Sequence, residues 1–263
     1  MITMKFRKKT AEKRSMRQWI ILGILSVVVL LIIIYFLIQL SIPDVSSLVT
    51  QNPSTTALIE QRKEEAKEAG EKIVIRQQWV SFNQIPELLK RTVRISEDAN
   101  FYFHEGLDLD ELEESIKKNW EKGEFSRGGS TITQQLAKNL YLSTEKSIWR
   151  KIKEIFIARE LEETLSKHRI FHLYLNIIEF GRGIFGVSAA SGEYFDKSVS
   201  ELSPEEIIRL TAVIPRPLSV RPDQNSDWVL WRCRWITDKL LLYGYIQDTE
   251  HDSLMTVFSP PEP

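Results

Sequence analysis

The sequence predicts a mainly α-helical protein that is preceded by one transmembrane helix. After residue 80, apolar residues recur at three- and four-residue spacing through most of the chain, as on the buried face of a helix. Several of these runs follow a Ser or Thr with Glu or Gln three residues later, which is the pattern of a capping box. A continuous apolar run covers residues 19–38, broken only by Gly23 and Ser26. The one stretch with strand character, around residues 73–80, predicts no more than a short strand or hairpin.

Composition excludes several classes of protein. The chain has 263 residues and a formal net charge of -1, so its total charge indicates no partner, and we expect no nucleic acid to bind. Its single cysteine allows neither an intrachain disulfide nor a multi-cysteine metal site. The four histidines are scattered and form no H-E-x-x-H motif, which argues against a zinc hydrolase.

The N-terminal 40 residues predict a membrane anchor. Residues 1–18 form a basic tail with seven Lys or Arg against one acid, and residues 19–40 are long enough to cross a hydrocarbon core of about 30 Å. The basic flank predicts a cytoplasmic N-terminus, with all that follows on the other side of the membrane. The alternative is a cleaved signal peptide, but the 39–43 segment offers no A-x-A-like site. We therefore expect an uncleaved, single-pass anchor.

The rest of the chain is predicted to comprise three segments. Residues 41–78 are expected to be an extracytoplasmic linker that contains a charged, solvated helix over 57–69. Residues 79–248 form the predicted helical domain, and residues 249–263, which end in Pro-Pro-Glu-Pro, are expected to be disordered. Within the domain, helix signals start at Pro86, Leu109, Thr131, Ser147, Ser166, Ser203 and Ser226.

The stretch 128–139 has the features of an anion cradle. Gly128 and Gly129 let backbone N–H groups approach a ligand, and Thr131 with Gln134 fits a capping box at the start of a helix. A helix N-terminus favours negative charge, and Lys138 adds a full positive charge. The spacing of a P-loop is absent. An ordinary glycine turn before a polar-faced helix remains the alternative from these residues alone.

Two carboxylates flank this stretch in the sequence. Glu97 falls at the end of the helix that starts near Pro86, and Glu154 lies on an otherwise apolar helix over 147–165 beside Arg150 and Lys151. The second group has two interpretations: an i,i+4 salt bridge or a functional site. Paired carboxylates suit glycosidic chemistry, and cations with N–H donors suit a pyrophosphate leaving group.

Four motifs in order then resemble those of the peptidoglycan glycosyltransferase (transglycosylase) family. They are Glu97-Asp98-x-x-Phe101-x-x-His104-x-Gly106, the whole 128–139 stretch, Arg150-Lys151-x-x-Glu154, and Tyr174-Leu175-Asn176 through Gly181-x-Gly183-x-x-Gly186. The resemblance covers roughly residues 79–246. With one anchor and no chain left for a transpeptidase domain, the sequence is similar to the monofunctional biosynthetic form rather than to a bifunctional penicillin-binding protein.

The resemblance implies a fold, an activity and a location. The fold would be lysozyme-like, with a small jaw lobe that touches the bilayer through the apolar stripe of Leu109, Leu112, Ile116 and Trp120. The activity would be polymerisation of lipid II into β-1,4 glycan strands with inversion and release of undecaprenyl pyrophosphate. The implied location is the periplasmic face of the inner membrane. The implied partners are lipid II, the growing strand, the bilayer, and penicillin-binding or division proteins.

The resemblance also implies a role for each motif residue. Glu97 would be the general base on the acceptor 4-hydroxyl, and Glu154 would assist departure of the pyrophosphate. The residues that would bind sugar or phosphate are Ser130, Gln135, Lys138, Asn139, Lys146, Arg150 and Lys151. Lys146 stands where many members carry Arg, which loses the bidentate fork. The residues expected to shape the motifs are Asp98, Phe101, His104, Gly128, Gly129 and Thr131.

No resident metal or tightly bound cofactor is expected, although Mg²⁺ or Mn²⁺ could accompany the pyrophosphate. Two other functions compete. A lytic transglycosylase or lysozyme would share the fold type but needs one dominant acid and no phosphate-binding cations, so Lys138, Arg150 and Lys151 argue against it. A non-catalytic scaffold is argued against by the presence of both Glu97 and Glu154.

Overall fold

The structure is a computed structural model that describes residues 2–122, 129–145 and 147–259. The chain divides into two compact units, residues 1–43 and 44–263. The first unit is one helix, α1 (Ile2–Leu40). Its segment Gln18–Leu40 has a mean hydropathy of 3.3 and no buried share, so it is long and apolar enough to cross a membrane. This segment coincides with the predicted anchor over 19–40.

The second unit is mainly helical, as predicted. Its helices are α2 (Ala57–Glu68), α3 (Glu87–Glu97), α4 (Leu109–Lys122), α5 (Ile132–Tyr141), α6 (Ile148–Thr164), α7 (Lys167–Ile177), α8 (Val187–Phe195), α9 (Pro204–Ala212), α10 (Asp227–Leu242) and α11 (Asp248–Val257). Side-chain caps follow the sequence signals: Thr131, Ser147, Ser166, Ser203 and Ser226 each accept a backbone N–H at the start of a helix.

Three short strands form the only sheet in the described part of the chain. They are β1 (Arg76–Gln77), β2 (Glu179–Gly181) and β3 (Ile184–Phe185), in the order β1-β3-β2, with β1 parallel and β2 antiparallel to β3. Gly183 and Gly186 both have φ of +81°, and a Cβ on either would lie 2.5 Å from a backbone oxygen. The glycine-rich segment after α7 is thus a tight hairpin that only glycine can form.

The structure differs from the prediction of a linker over 41–78, because residues 44–78 are part of the folded domain. Helix α2 packs against α5, and the Arg62 guanidinium makes two 2.8 Å bonds to the carboxylate of Glu179 in β2. Arg169 on α7 donates to the carbonyl oxygens of Leu48 and Gln51 at 2.7 Å. These side-chain contacts reach across more than a hundred residues, and so the local composition did not reveal them.

The prediction of a disordered tail over 249–263 is wrong for the part that the structure describes. Helix α11 packs against α10, and Phe258 just beyond it is fully buried. Its carbonyl accepts a 2.6 Å bond from Nη1 of Arg234, and the Arg209 guanidinium lies 5.4 Å from its ring. One buried aromatic side chain and two arginines therefore hold this helix on the domain.

Helix α5 lies at the centre of the domain, where it packs against α2, α6 and α7, while α3 packs against α9 and α10. The inward face of α5 carries Ile132, Leu136 and Leu140, which recur at every fourth residue and are all buried. The first turn of α6 is not buried although the helix is largely apolar in sequence, since Ile148 is 82% and Trp149 57% exposed. The core thus surrounds the helix that carries the predicted cradle.

Candidate active site

Glu97 is the last residue of α3, and its carboxylate points into the domain. The side chain is 9% exposed. Burial raises the pKa of Glu97, while the Arg232 guanidinium and the Gln135 amide oppose the rise. A buried carboxylate with a raised pKa can accept a proton more readily than a surface one, as a general base must.

A chain of hydrogen bonds orients this carboxylate. The Tyr174 hydroxyl donates to Oε1 of Gln135 at 3.0 Å, and Nε2 of Gln135 donates to Oε2 of Glu97 at 3.2 Å. Burial raises the pKa of Tyr174 well above its ordinary value, so its hydroxyl remains a donor. Because that bond fixes which end of the amide is oxygen, Gln135 presents its NH₂ group to Glu97.

Asp98 and His104 fix the loop that follows Glu97. Nε2 of His104 lies 3.0 Å from Oδ1 of Asp98, and Nδ1 of His104 accepts the N–H of Gly106 at 3.2 Å. The other oxygen of Asp98 accepts the N–H of Ile132 at 2.9 Å, at the first turn of α5. This network joins the first motif to the second and supports the expected structural roles of Asp98 and His104.

The second motif begins α5 as the sequence predicts. Thr131 and Gln134 form the capping box, and the Thr131 hydroxyl also donates to the Gly106 carbonyl at 2.7 Å. Phe101, in the first motif, is fully buried and packs 5.6 Å from the ring of Phe171. Gly129 lies where a Cβ would be 3.4–3.5 Å from α4 atoms, in ordinary contact. Gly128 and Lys146 lie outside the described residues.

Glu154 lies in the third motif between two cations. Its side chain is 4% exposed, and its two oxygens are 2.6 Å from Nη1 of Arg150 and 2.5 Å from Nζ of Lys151. The same Lys151 ammonium donates to the Ser130 hydroxyl at 3.0 Å, which ties α6 to the start of α5. Both interpretations of this group are therefore compatible with the structure: it is an ion-pair network, and it lies beside the cradle.

Lys138 is within electrostatic range of both carboxylates. Both Glu97 and Glu154 act on its charge electrostatically, while burial, the largest influence, lowers its pKa. No hydrogen-bond or ion-pair partner of its ammonium occurs among the described residues, whereas Arg150 and Lys151 are already paired. Asn139, the next residue, is 7% exposed. Lys138 is half-buried. A partly desolvated ammonium without a partner is costly, and a bound anion would compensate it.

Sequence analysis missed one basic residue of this site, Arg232 on α10. Its Nη2 lies 2.9 Å from Oγ of Ser96 and 3.6 Å from Oε1 of Glu97, and its guanidinium stacks 4.2 Å from the Trp235 ring. The i,i+3 spacing of Arg232 and Trp235 was visible in the sequence. That α10 crosses α3 at Glu97 was not, because the two helices are more than a hundred residues apart.

Among the described residues, one cluster has the ligand types for a divalent cation, and its side chains are already engaged. Asp98, His104 and Asp108 have ligand atoms within 4.8 Å of one another, but these atoms already hold the loop. Both ring nitrogens of His104 are used, and the Asp108 oxygens accept the N–H of Glu111 and the amide of Asn100 at 2.9 Å each. Each oxygen of Glu154 already accepts a hydrogen bond from a cation, Arg150 or Lys151, and no step of the reaction is routed through a metal.

The helical fold, with Glu97 and Glu154 both acting electrostatically on Lys138, agrees with a glycosyl-transfer enzyme of the transglycosylase class. The sequence model of the Transglycosylase family matches residues 49–241, and the chain belongs to that family. The match starts within the segment that sequence analysis assigned to a linker, in agreement with the folded domain.

Curated relatives give the same result. A biosynthetic peptidoglycan transglycosylase of Nitrosospira multiformis is 42% identical over 189 residues, which cover 72% of this chain and 82% of the relative. One of Nitrosomonas eutropha is 41% identical over 191 residues, with 73% and 78% covered. One of Laribacter hongkongensis is 36% identical over 226 residues, with 86% and 97% covered.

Proposed function

We propose that the protein is a membrane-anchored peptidoglycan glycosyltransferase that polymerises lipid II into β-1,4 glycan strands. The observation that carries the proposal is the half-buried Lys138, which both Glu97 and Glu154 influence electrostatically and which has no hydrogen-bond or ion-pair partner among the described residues. An enzyme that only cleaves glycosidic bonds has no use for a cation there, whereas a diphosphate leaving group needs one. The names of the relatives support peptidoglycan synthesis as the setting.

In the proposed reaction, Glu97 acts as the general base. Its carboxylate takes the proton of the acceptor 4-hydroxyl, whose oxygen forms a bond to the donor anomeric carbon. The bond from that carbon to the phosphate oxygen breaks, and its electron pair leaves with the diphosphate. Attack opposite an α-linked leaving group gives a β-linked product, so the reaction inverts.

The leaving diphosphate would bind the cations of α5 and α6. Lys138 is available for it at once, and Arg150 and Lys151 would exchange part of their contact with Glu154 for phosphate oxygens. Glu154 would keep both cations in place before and after release. Ser130, Gln135 and Asn139 line the same region and would position the donor sugar, with Lys146 as a further phosphate ligand.

The anchor supports action at a membrane surface. The seven basic residues before the apolar segment favour a cytoplasmic N-terminus. In this proposal the domain therefore acts outside the cytoplasm, at the periplasmic face of an inner membrane. Leu109 is 67% and Leu112 40% exposed on α4, as expected for a bilayer-contacting lobe, while the side chains of Ile116 and Trp120 lie outside the described part. The growing strand and partner synthases or division proteins would meet the domain there.

An assay with purified protein in detergent and labelled lipid II tests this function. We expect long glycan chains from the wild type, inhibition by moenomycin, and loss of polymer by at least about a hundredfold in Glu97→Gln, since a general base is worth this much. Glu154→Gln should slow turnover strongly. Glu163→Gln is a control, because Glu163 pairs only with exposed Arg159 on the same helix among the described residues. Full polymerisation by Glu97→Gln would reject the assignment of the base.

A further inference from the structure

We propose that Arg232 is a positioning residue that holds the Glu97 carboxylate ionised and oriented for proton transfer. The proposal rests on the proposed function, because it gives the base of that reaction a partner from a different part of the chain. Neither the motifs around Glu97 nor the relatives assign a role to this arginine.

The contacts of Arg232 fit this role. Its Nη2 donates to the Ser96 hydroxyl at 2.9 Å and lies 3.6 Å from Oε1 of Glu97, on the side of the carboxylate opposite Gln135. A separation of 3.6 Å is an ion pair but too long for a strong hydrogen bond. The arginine therefore supplies positive charge without a direct hydrogen bond to Oε1. The Ser96 hydroxyl lies 3.4 Å from Oε1, which keeps a further lone pair to accept a proton from an acceptor hydroxyl.

The arginine itself is held rigidly and at a cost. Its side chain is 15% exposed, and its guanidinium stacks on Trp235 from the same helix. Its Nε is buried and has no hydrogen-bond partner within the described residues. Burial also lowers the pKa of Arg232. A cation that is desolvated and incompletely bonded is rarely kept for stability alone, which favours a functional role.

The other charged and titratable groups that face Glu97 do not supply the same effect. Asp98, its neighbour in sequence, opposes ionisation, and Gln135 from α5 is neutral. Tyr174 from α7 is an uncharged hydroxyl. Lys138 from α5 feels the Glu97 charge but would be occupied by the leaving diphosphate during the reaction. Among the described residues, Arg232 is thus the cation that remains for Glu97 when substrate is bound.

The test compares Arg232→Met with wild type and with Arg234→Met. Methionine keeps the packing on Trp235 but removes the charge. Arg234 is a matched control on the same helix, since its Nη1 donates to the Phe258 carbonyl instead. The first measurement is the titration of Glu97, which needs no substrate. NMR follows it in protein labelled with ¹³C at the glutamate carboxyls, and the signal lost in Glu97→Gln assigns the Glu97 resonance. The acid limb of kcat/KM for lipid II is the second measurement.

In Arg232→Met we expect the titration midpoint of Glu97 and the acid limb of kcat/KM to move up together by about one pH unit. At a fixed pH on the acid limb, kcat/KM should therefore fall about tenfold. Arg234→Met should leave both unchanged. Arg232→Lys keeps the charge and should return both toward wild type. A folded Arg232→Met protein with an unchanged Glu97 midpoint would overturn the proposal.

If Arg232→Met does not fold, the Arg232→Lys variant tests the positioning role instead. A Glu97 midpoint near wild type with kcat/KM within about tenfold supports the role, because charge is retained while the fork is lost. A folded lysine variant with an unchanged midpoint but a loss of more than about a hundredfold would overturn it. Absence of polymer in wild type would reject the proposed function, while the NMR titration would still report on Arg232 and Glu97.

Discussion

At the scale of single residues, several cations at or near the site have a carboxylate partner, whereas Lys138 has none among the described residues. Arg150 and Lys151 share the Glu154 carboxylate, and Lys167 pairs with Glu162 at 2.7 Å while it lies 4.5 Å from the Phe101 ring. Lys138 has no such partner in the described part of the chain. Loss of the charge of Lys138 and loss of the charge of Lys167 should therefore change the stability of the domain in opposite directions.

We expect Lys138→Met to stabilise the protein and to abolish polymerisation. Burial lowers the pKa of Lys138 from its ordinary value of 10.5, so at neutral pH the folded state carries a charge that costs stability. Removing it should add about 1 kcal/mol, or roughly 2–4 °C in Tm. The gain should shrink as pH rises from the lowered pKa toward 10.5, because the wild-type lysine then loses its proton in the folded state first.

Thermal unfolding of Lys138→Met, Lys167→Met and wild type at several pH values measures this. Lys167→Met should destabilise, because among the described residues it leaves Glu162 with only its contact to the Thr133 hydroxyl. A lower Tm for Lys138→Met at neutral pH would mean that its ammonium has a stabilising partner and is not reserved for a ligand.

At the scale of elements, the start of α5 joins three parts of the site. The Thr131 hydroxyl caps the helix and bonds the Gly106 carbonyl, while the next N–H holds Asp98. These bonds place Gln135 and Lys138 opposite Glu97. The N-terminus of α5 is therefore both a cap and the joint between the first two motifs.

Thr131→Ala should cost about 1–2 kcal/mol of stability and also lower activity, because it removes a cap and the bond to Gly106. Ser203→Ala removes the cap of α9, where Oγ accepts the N–H of Glu206 at 3.3 Å. It should cost a similar amount and leave turnover unchanged. Thr131→Ser keeps both bonds and should behave as wild type. Equal activities of the two alanine variants would show that this joint does not position the site.

Local signals predicted most of these elements but not how they meet. The capping boxes at Thr131 and Ser203, the end of α3 at Glu97 and the α6 boundaries all followed from spacing and cap chemistry. Arg232 beside Glu97 and Arg62 on Glu179 could not be predicted, because each pair is more than a hundred residues apart. The site roles carried over from the family resemblance remain predictions that the assays above test.

At the scale of the whole molecule, the domain begins near residue 44 and not at residue 79. Residues 44–78 contribute α2, β1 and the Arg62–Glu179 ion pair to one folded unit. The side chains of Arg62 and Glu179 are 11% and 4% exposed. Loss of one partner from such an ion pair destabilises a fold by about 3–5 kcal/mol. The segment that leaves the anchor is thus a structural component of the domain.

We expect a chain of residues 44–263 to fold and to unfold in one cooperative transition, with activity on lipid II in detergent. A chain of residues 79–263 should lack that transition, because it leaves Glu179 buried without its cation and removes strand β1. Circular dichroism melting curves of the two chains check this. As a matched control, Glu179→Gln in the chain of residues 44–263 should lower Tm without loss of the fold. Identical melting curves for the two chains would mean that the segment before residue 79 is a linker after all.

The single cysteine gives this protein a practical advantage. Cys233 is fully buried in α10, and burial raises the pKa of its thiol to about 12, so almost none is thiolate at neutral pH. Maleimide dyes should therefore not label Cys233. A cysteine introduced at exposed Phe103 or Leu218 would be the one reactive position, and a fluorophore there could follow a single enzyme during glycan synthesis without any background substitution.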